Sequence, residues 1–215
     1  MCFYVAMSAQ ALTLEHRFGA KLPPQVKELT PEPFINGFSH PKMLTWTSTG
    51  FKQMHWGLIP AWVRTREQAL QIRSKTLNAK CETIHTRTSY KDAIQKRRCI
   101  VPVSAFFEWH HQKEQKVPFR IEPSQGELLL LAGIYETWTS PSSQTPVNTF
   151  SILTCPANQM MARVHNTKQR MPVILDALTE PLWLQANTKI QQECCMQPAA
   201  DHLLKAVPCS KIGKE

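Results

Sequence analysis

Cys2 follows the first methionine of the chain, so removal of Met1 would make it the amino-terminal residue. An amino-terminal cysteine carries an α-amine and a thiol on one carbon frame, with reference pKa values of ~8 and ~8.5. The amine condenses with an aldehyde to a Schiff base. The thiol then adds to the Schiff-base carbon and closes a five-membered thiazolidine ring, which proximity favours. The position predicts a nucleophile directed at aldehydes. The alternative is a cysteine that stands near the start of the chain by chance.

Two further residues are suited to proton transfer. Glu108 lies in the aromatic segment Phe106-Phe107-Glu108-Trp109, where burial would raise the pKa of its carboxyl group toward neutrality. His165 falls between a predicted helix and a predicted strand, and its reference pKa fits proton transfer near neutrality. Structural interpretations stay open for both: a glutamate on the solvent face of a strand, and an ordinary surface histidine among eight.

Other side chains suit a polyanionic ligand. Asn78 both donates and accepts hydrogen bonds, and Lys80 can pair with a phosphate. Trp62 follows Pro60 and comes shortly before Arg64, so it is a candidate for stacking on an unpaired base beside a phosphate contact. A strand-to-helix junction around Asn78 and a half-buried loop tryptophan are the structural alternatives.

The charge of the chain agrees with such a ligand. Lys and Arg number 25 against 16 Asp and Glu among 215 residues, a formal net charge of +9. A polyanion gains from this excess because each neutralised phosphate releases counterions; a basic protein without such a partner is the alternative. The seven cysteines include no C-x-x-C and make a secreted disulfide framework improbable. Cys194, Cys195, His202 and Cys209 fit no common zinc spacing, so neither a metal nor another cofactor is predicted.

Strand-like segments outnumber helical ones. Strands are predicted over Cys2–Ala6, Phe51–Leu58, Arg98–Trp109, Val117–Ile121, Glu127–Trp138, Asn148–Cys155 and Met171–Leu175. Helices are predicted over Ala9–Phe18, Glu82–Lys96, Ala157–Val164 and Thr179–Ala186, and loops over Leu22–Pro33 and Thr139–Pro146. Because strands dominate without regular alternation with helices, we expect an α+β, mainly-β fold rather than a doubly wound sheet.

Length and hydropathy bound the organisation of the chain. The length and the lack of a long linker predict one domain over residues 1–215. No apolar run approaches the ~18 residues that a membrane helix needs. The first ten residues also lack the basic region and apolar core of a signal peptide. A cytoplasmic protein without membrane contacts is therefore expected.

Five motifs in order resemble the SRAP (SOS-response-associated peptidase) family. They are Cys2, W-G-x-x-P-x-W at 56–62, N-A-K-C-E-T at 78–83, F-F-E-W at 106–109, and a histidine at 165 followed by R-M-P-V-I-L at 170–175. The resemblance implies a compact, mainly-β α+β fold around one cleft. It also implies covalent capture of abasic sites in single-stranded DNA, because the ring-opened abasic sugar is an aldehyde.

The same resemblance implies roles for individual residues. Asn78 would orient the aminothiol or the sugar, Glu108 would act as acid and base in Schiff-base formation and reversal, and His165 would help to open the sugar ring. Family members are described as removing their own Met1. The partner would be single-stranded DNA that contains abasic sites, bound by a monomer without a cofactor, and the protein would be nucleoid-associated if the chain is bacterial.

The chain departs from the family pattern where phosphates would bind. The family's Gly-Arg after the cysteine is replaced by Phe3-Tyr4, and the arginine of its Asn-Ala-Arg motif by Lys80, which keeps the charge but loses the bidentate fork. Charge and motif adjacency predict DNA contacts from Pro41, Lys42, Trp62, Arg64, Lys80, Lys168 and Arg170.

Two other functions stay open at this point. One is a cysteine peptidase or amidohydrolase that uses Cys2 with His165 and turns over a peptide or amide substrate. The other is a non-covalent single-strand binding module that relies on Trp62 and on the positive charge of the chain.

Overall fold

A computed structural model of the chain describes residues 2–24, 26, 29–140 and 144–209. The strands of this part are β1 Tyr4–Met7, β2 Glu32–Asn36, β3 Lys42–Thr47, β4 Gly50–Trp56, β5 Asn78–Lys80, β6 Arg98–Val103, β7 Ala105–Gln112, β8 Gln115–Pro123, β9 Leu129–Thr139, β10 Pro146–Pro156, β11 Arg170–Pro172, β12 Ile174–Leu175 and β13 Leu204–Pro208. The helices are α1 Ala11–Phe18, α2 Arg66–Arg73, α3 Lys91–Lys96, α4 Gln159–Val164, α5 Thr179–Gln185 and α6 Lys189–Cys195. Short 3-10 turns cover Gly37–Ser39, Cys81–Thr83 and Asp201–Leu203.

Five strands close into a barrel. β3 pairs with β4 and β6, β9 pairs with β6 and β10, and β10 pairs with β4 in parallel to complete the ring. The long strands β9 and β10 are largely buried, which explains why Leu129–Leu131 shows no polar alternation. Trp56 at the end of β4 is fully buried and stacks on Phe150 of β10 at a ring-centroid distance of 6.1 Å.

Short strands attached to the barrel carry several of the predicted site residues. β5 adds to β10 in parallel, so Asn78 lies opposite Ile152 and Lys80 opposite Thr154. β11 pairs antiparallel with the end of β10, where Arg170 lies opposite Pro156. The edge of β10 thus brings together two segments that are about 90 residues apart in the chain.

A second sheet has the strand order β13-β8-β7-β1-β2. β1 pairs antiparallel with β7, with Val5 opposite Phe106 and Ala6 opposite Ala105. Continuing this register by two residues places Phe3 opposite Glu108. The amino-terminal end of β1 therefore lies beside the F-F-E-W segment that the sequence marks as chemically unusual.

The mainly-β α+β class is confirmed, with several differences in the elements. Arg98–Trp109 forms two strands rather than one, because the chain breaks at Ser104, whose hydroxyl accepts a hydrogen bond from Ser8 N at 2.8 Å. The predicted helix over Glu82–Lys96 is wrong except for α3. Turns precede α3, and the Thr86 hydroxyl bonds the Thr83 carbonyl there, in competition with helical hydrogen bonding.

Two helices were not predicted, and both begin at a side-chain cap. α2 starts after Thr65, whose hydroxyl accepts from Gln68 N at 3.2 Å, and α6 starts with a capping box between Thr188 and Gln191. The predicted loop Thr139–Pro146 joins β9 to β10 as a hairpin-type connection, although residues 141–143 lie outside the described part of the chain. The predicted loop Leu22–Pro33 is wrong at its end, because β2 begins at Glu32, and residues 25, 27 and 28 of it lie outside the described part as well. No helix in that part is long and apolar enough to cross a bilayer.

Candidate active site

Cys2 and Asn78 are joined at the base of the site. Cys2 is fully buried, and the Asn78 side-chain amide donates a hydrogen bond to the Cys2 carbonyl at 2.9 Å. Asn78 is held in turn by its pairing in β5 and by the Tyr90 hydroxyl, which donates to the Asn78 carbonyl at 3.1 Å. The Cys2 sulfur lies 4.0 Å from the Tyr4 carbonyl. The asparagine therefore holds the backbone of the cysteine through its carbonyl, and this contact involves neither the nitrogen nor the sulfur of Cys2.

Glu108 and His165 form the second half of the site. Both side chains are buried, and the Glu108 Oε2 atom lies 3.7 Å from His165 Nδ1. His165 Nδ1 also lies 3.0 Å from the Arg170 carbonyl. A carbonyl only accepts hydrogen bonds, so Nδ1 carries the proton in the neutral ring and Nε2 is the basic nitrogen. The histidine follows α4, which Asn158 caps by accepting from Met161 N at 2.7 Å.

Burial changes the proton affinity of all three titratable groups. Desolvation raises the pKa of Glu108, and the positive charge of the amino terminus opposes that rise. Desolvation lowers the pKa of His165, and its bond to the Arg170 carbonyl offsets part of this change. Desolvation raises the pKa of the Cys2 thiol, and the charge of Glu108 raises it further. At neutral pH the thiol is protonated and the imidazole is neutral, while Glu108 holds its proton more tightly than an exposed carboxyl group.

Two pockets border this cluster, and Phe3 lines both. The first, which we call the histidine pocket, has a volume of about 470 Å³ and is lined by Phe3, Tyr4, Glu108, Trp109, His111, Lys116, His165 and Lys168. The second, the asparagine pocket, has a volume of about 410 Å³ and is lined by Phe3, Ile72, Ser74, Lys75, Thr76, Leu77, Asn78, Lys80, Thr83, Arg87, Ser89 and Tyr90. The site is thus a divided cleft with the buried cysteine next to the divider.

The residues predicted to contact DNA are distributed around this cleft. Lys80 is exposed in the asparagine pocket and Lys168 in the histidine pocket. The guanidinium of Arg170 is bonded to both carboxylate oxygens of Glu82, at 2.6 and 2.9 Å, and to the Thr154 carbonyl at 2.7 Å. This geometry gives Arg170 a role in holding the strands around His165.

Trp62, Arg64 and Pro41 line neither pocket. Trp62 is 47% exposed, and its indole nitrogen donates to the Thr88 carbonyl at 3.2 Å. Arg64 is exposed two residues later. The carbonyl of Pro41 accepts from Trp56 N at 2.9 Å, and Lys42 begins β3. These residues lie outside both pockets, and only Lys42 and Arg64 among them are basic.

Several residues that line the two pockets are not predicted from the sequence. His111 and Lys116 come from the β7–β8 hairpin, and Arg87 and Tyr90 come from the turns before α3. No local pattern in the sequence marks them, because their place in the cleft depends on contacts between distant segments: Asn166, in the segment after His165, exchanges two hydrogen bonds with the His111 backbone, at 3.0 and 2.8 Å. In the described part of the chain, no cluster of three or more His, Cys, Asp or Glu side chains could hold a metal ion.

Comparison with known proteins identifies the protein family to which a chain with this fold belongs. The SOS response associated peptidase (SRAP) family model matches residues 1–213, so the chain belongs to the SRAP family. A crystal structure of a protein from Bacteroides thetaiotaomicron is similar, with a TM-score of 0.93 and 34% identity, over 96% of this chain and 91% of that chain.

Curated relatives share part of their length with the chain. The abasic site processing protein YoqW of Bacillus subtilis is 35% identical over 133 residues, which are 61% of this chain and 56% of that protein. The abasic site processing protein HMCES of Gallus gallus is 31% identical over 142 residues, 57% of this chain and 41% of that protein. The match therefore spans about half the length of these relatives or less.

Proposed function

We propose that this protein processes abasic sites in single-stranded DNA by capturing them covalently through Cys2 after Met1 is removed. The observation that carries the proposal is the convergence of the buried Cys2 with Asn78, Glu108 and His165 in one cleft. The names of the relatives, abasic site processing proteins, support the choice of an abasic sugar as the aldehyde.

The covalent step balances without a cofactor. The Cys2 amine attacks C1′ of the ring-opened deoxyribose, and the resulting carbinolamine loses its hydroxyl as water to give an imine. The nitrogen keeps one amine proton in the protonated imine; the thiol sulfur then bonds to the same carbon, and the thiol proton replaces the proton that an acid gave to the departing water. Amine, thiol and aldehyde thus yield a thiazolidine and one water, with no change in oxidation state. The closure is unimolecular once the imine exists.

Each of the three side chains around Cys2 has one task in these reaction steps. The Nε2 atom of His165 accepts the proton of the C1′ hydroxyl, the C1′–O4′ bond breaks as the aldehyde forms, and the imidazolium returns the proton to O4′. Glu108, whose pKa burial raises, donates the proton that lets water leave the carbinolamine, and its carboxylate then accepts the thiol proton. Asn78 fixes the backbone of Cys2 through its carbonyl, so the amine and the thiol reach one carbon.

The test uses protein whose intact mass confirms loss of Met1. It is incubated with matched single-stranded oligonucleotides, one abasic and one intact, and resolved on a denaturing gel. We expect a heat-stable product with the abasic strand alone, with a mass equal to protein plus oligonucleotide minus one water. Cys2→Ala should abolish this product. Cys194→Ala is the matched control, because Cys194 is an exposed thiol far along the chain.

An equal product from Cys2→Ala refutes the assigned nucleophile. Salt-sensitive binding without a covalent product would instead show a non-covalent single-strand binding module. Repeated turnover of a peptide or amide without DNA would show the hydrolase. The raised pKa of the Cys2 thiol disfavours the thiolate–imidazolium pair that such a hydrolase needs.

Self-processing of Met1 is part of the proposal. The charge of Glu108 acts on the Cys2 thiol, and Glu108 lies 3.7 Å from His165, so an acid–base pair is available beside the residue that follows the first peptide bond. We expect Glu108→Gln and His165→Asn to retain Met1 in a larger fraction of molecules than the unaltered protein. Intact mass of protein made in the same host measures this fraction, and equal retention in all three would assign Met1 removal to the host.

A further inference from the structure

We propose that Phe3 and Phe38 form an aromatic wedge that takes the place of the missing base and stacks on the bases that flank the lesion. This inference rests on the proposed function, because it assigns a binding mode to the same cleft. Its chemistry is base stacking by side chains that the family pattern, with glycine after the cysteine, does not provide.

Phe3 lies where a flanking base of the DNA would come closest to Cys2. Phe3 directly follows the nucleophile and lines both the histidine pocket and the asparagine pocket. A sugar bonded to Cys2 therefore lies beside this ring, with one pocket available for the chain on each side. The lesion has no base of its own, so the space that a base would fill is the space next to Phe3.

A ring contact and a backbone hydrogen bond fix the position of Phe38 next to Phe3. The rings of Phe3 and Phe38 lie 4.8 Å apart between centroids at an interplanar angle of 41°, and Phe38 is 48% exposed. Gly37 N donates to the Phe3 carbonyl at 2.8 Å. A Cβ atom on Gly37 would lie 3.0 Å from that carbonyl and 3.1 Å from the Trp56 ring, so the close approach that brings Phe38 to Phe3 favours glycine.

Charge on both sides of the wedge identifies the occupant as a nucleic-acid strand. The asparagine pocket contains Lys75, Lys80 and Arg87 and no acidic residue. The histidine pocket contains Lys116 and Lys168, and its one acidic residue is the buried Glu108. Cations on each side of an aromatic pair match phosphates on each side of a base, and base–aromatic stacking tolerates any sequence.

The wedge also suggests how this chain can bind DNA with Tyr4 at the position where the family pattern has an arginine. The Tyr4 ring stacks on Phe34 at 5.1 Å and meets the edge of Trp109 at 5.0 Å. That contact extends the aromatic wall from Phe3 and Phe38 into the histidine pocket, which Tyr4 and Trp109 also line. Stacking thus replaces an ionic contact, and we expect less dependence on salt than an arginine would give.

The experiment removes the aromatic rings of the protein and the flanking bases of the DNA, separately and together, as in a double-mutant cycle. Two abasic oligonucleotides are compared: one with adenines beside the lesion, and one with tetrahydrofuran residues there, which keep the phosphates but lack bases and aldehydes. We expect the unaltered protein to crosslink the second about tenfold more slowly at limiting concentration, given the usual worth of one stacked base. Phe3→Leu and Phe38→Leu should be slow on the first and show little difference between the two.

Phe3→Trp should keep the preference for flanking bases. Phe51→Leu is the control for removal of an aromatic ring elsewhere, because Phe51 packs on Phe18 and Trp46, outside both pockets and apart from the Phe3–Phe38 pair. Equal ratios of the two rates in Phe3→Leu and in the unaltered protein would overturn the wedge while leaving covalent capture intact. If no covalent product forms at all, the proposed function fails. The wedge is then judged from the same ratio of binding affinities in Cys2→Ala, with a tetrahydrofuran residue as the lesion.

Discussion

At the scale of single residues, burial shifts the pKa values of the three titratable groups of the cleft in different directions. It keeps His165 neutral, makes Glu108 a weaker acid and keeps the Cys2 thiol protonated. A protonated thiol is compatible with ring closure because the amine attacks first and the thiol proton is transferred only at the second step. These pKa directions support the proposed acid–base role of the Glu108 carboxyl group and the proposed ring-opening role of the His165 imidazole.

Glu108→Gln should slow formation of the covalent product by about 100-fold, because one positioned acid–base group typically contributes 10²- to 10⁴-fold. Glutamine keeps the shape of the side chain but neither donates nor accepts the transferred proton. Single-turnover gel assays with excess abasic oligonucleotide measure the rate. Glu114→Gln, an exposed position in the β7–β8 hairpin, is the matched control. An unchanged rate in Glu108→Gln would remove Glu108 from the chemistry.

The raised pKa of Glu108 also predicts a pH dependence of stability. Between its ordinary value of 4.5 and the higher folded value, the folded state binds a proton that the unfolded chain has released. This contribution is fully present below pH 4.5 and is lost as the pH rises through the folded pKa. Urea unfolding from pH 4 to 8 should therefore show Glu108→Gln gaining stability relative to the unaltered protein as the pH rises. A difference that stays constant over this range would contradict the shift.

At the scale of elements, contacts from several strands hold the cleft. The Arg170 guanidinium at the start of β11 bonds Glu82 after β5 and Thr154 in β10, so three segments are joined beside His165. Gly57 plays a similar part after β4, where its amide donates to the Phe150 carbonyl at 2.9 Å. A Cβ atom at Gly57 would lie 2.6 Å from the Arg73 carbonyl, so the end of α2 packs directly on this backbone.

Gly57→Ala should destabilise the fold by more than about 2 kcal/mol, because the clash with the Arg73 carbonyl adds to a backbone strain of about that size. Gly50→Ala is the matched control, because the two φ angles are nearly equal, +110° and +106°, yet nothing lies within 4 Å of a Cβ atom at Gly50. Urea unfolding of both variants separates the steric clash from the cost of the left-handed backbone. Equal destabilisation of the two would show that close packing at Gly57 contributes nothing.

The elements that could be predicted from the sequence are those whose signal is local. β9 shows it as a continuous apolar run, and α5 as a helix with proline in its first turn. The break at Ser104 escaped prediction because it depends on a hydrogen bond to Ser8, 96 residues away. The pairing of Glu108 with His165, and the division of the cleft by Phe3, depend in the same way on strands that are distant in the chain.

At the scale of the whole molecule, the proposed function relies on the net charge of +9 and on the divided cleft together. The charge would draw the DNA strand to the surface, and the basic side chains of the two pockets would hold phosphates on either side of Cys2. Trp62 and Arg64, outside the pockets, extend that surface. Affinity should therefore depend on salt, whereas the selection of an abasic strand depends on the covalent step.

The salt dependence can be assigned to individual side chains. Each phosphate contact on a single strand contributes a slope of about 0.7 in log affinity against log salt, so Lys80→Gln and Lys168→Gln should each reduce the slope by about that amount. Fluorescence anisotropy with Cys2→Ala measures binding without crosslinking. Lys21→Gln is the control, because Lys21 is exposed and already ion-paired with Glu15 at 2.8 Å. If Lys80→Gln and Lys168→Gln keep the full slope while Lys21→Gln reduces it, the strand does not run through the two pockets, and the path inferred from the position of Phe3 is wrong.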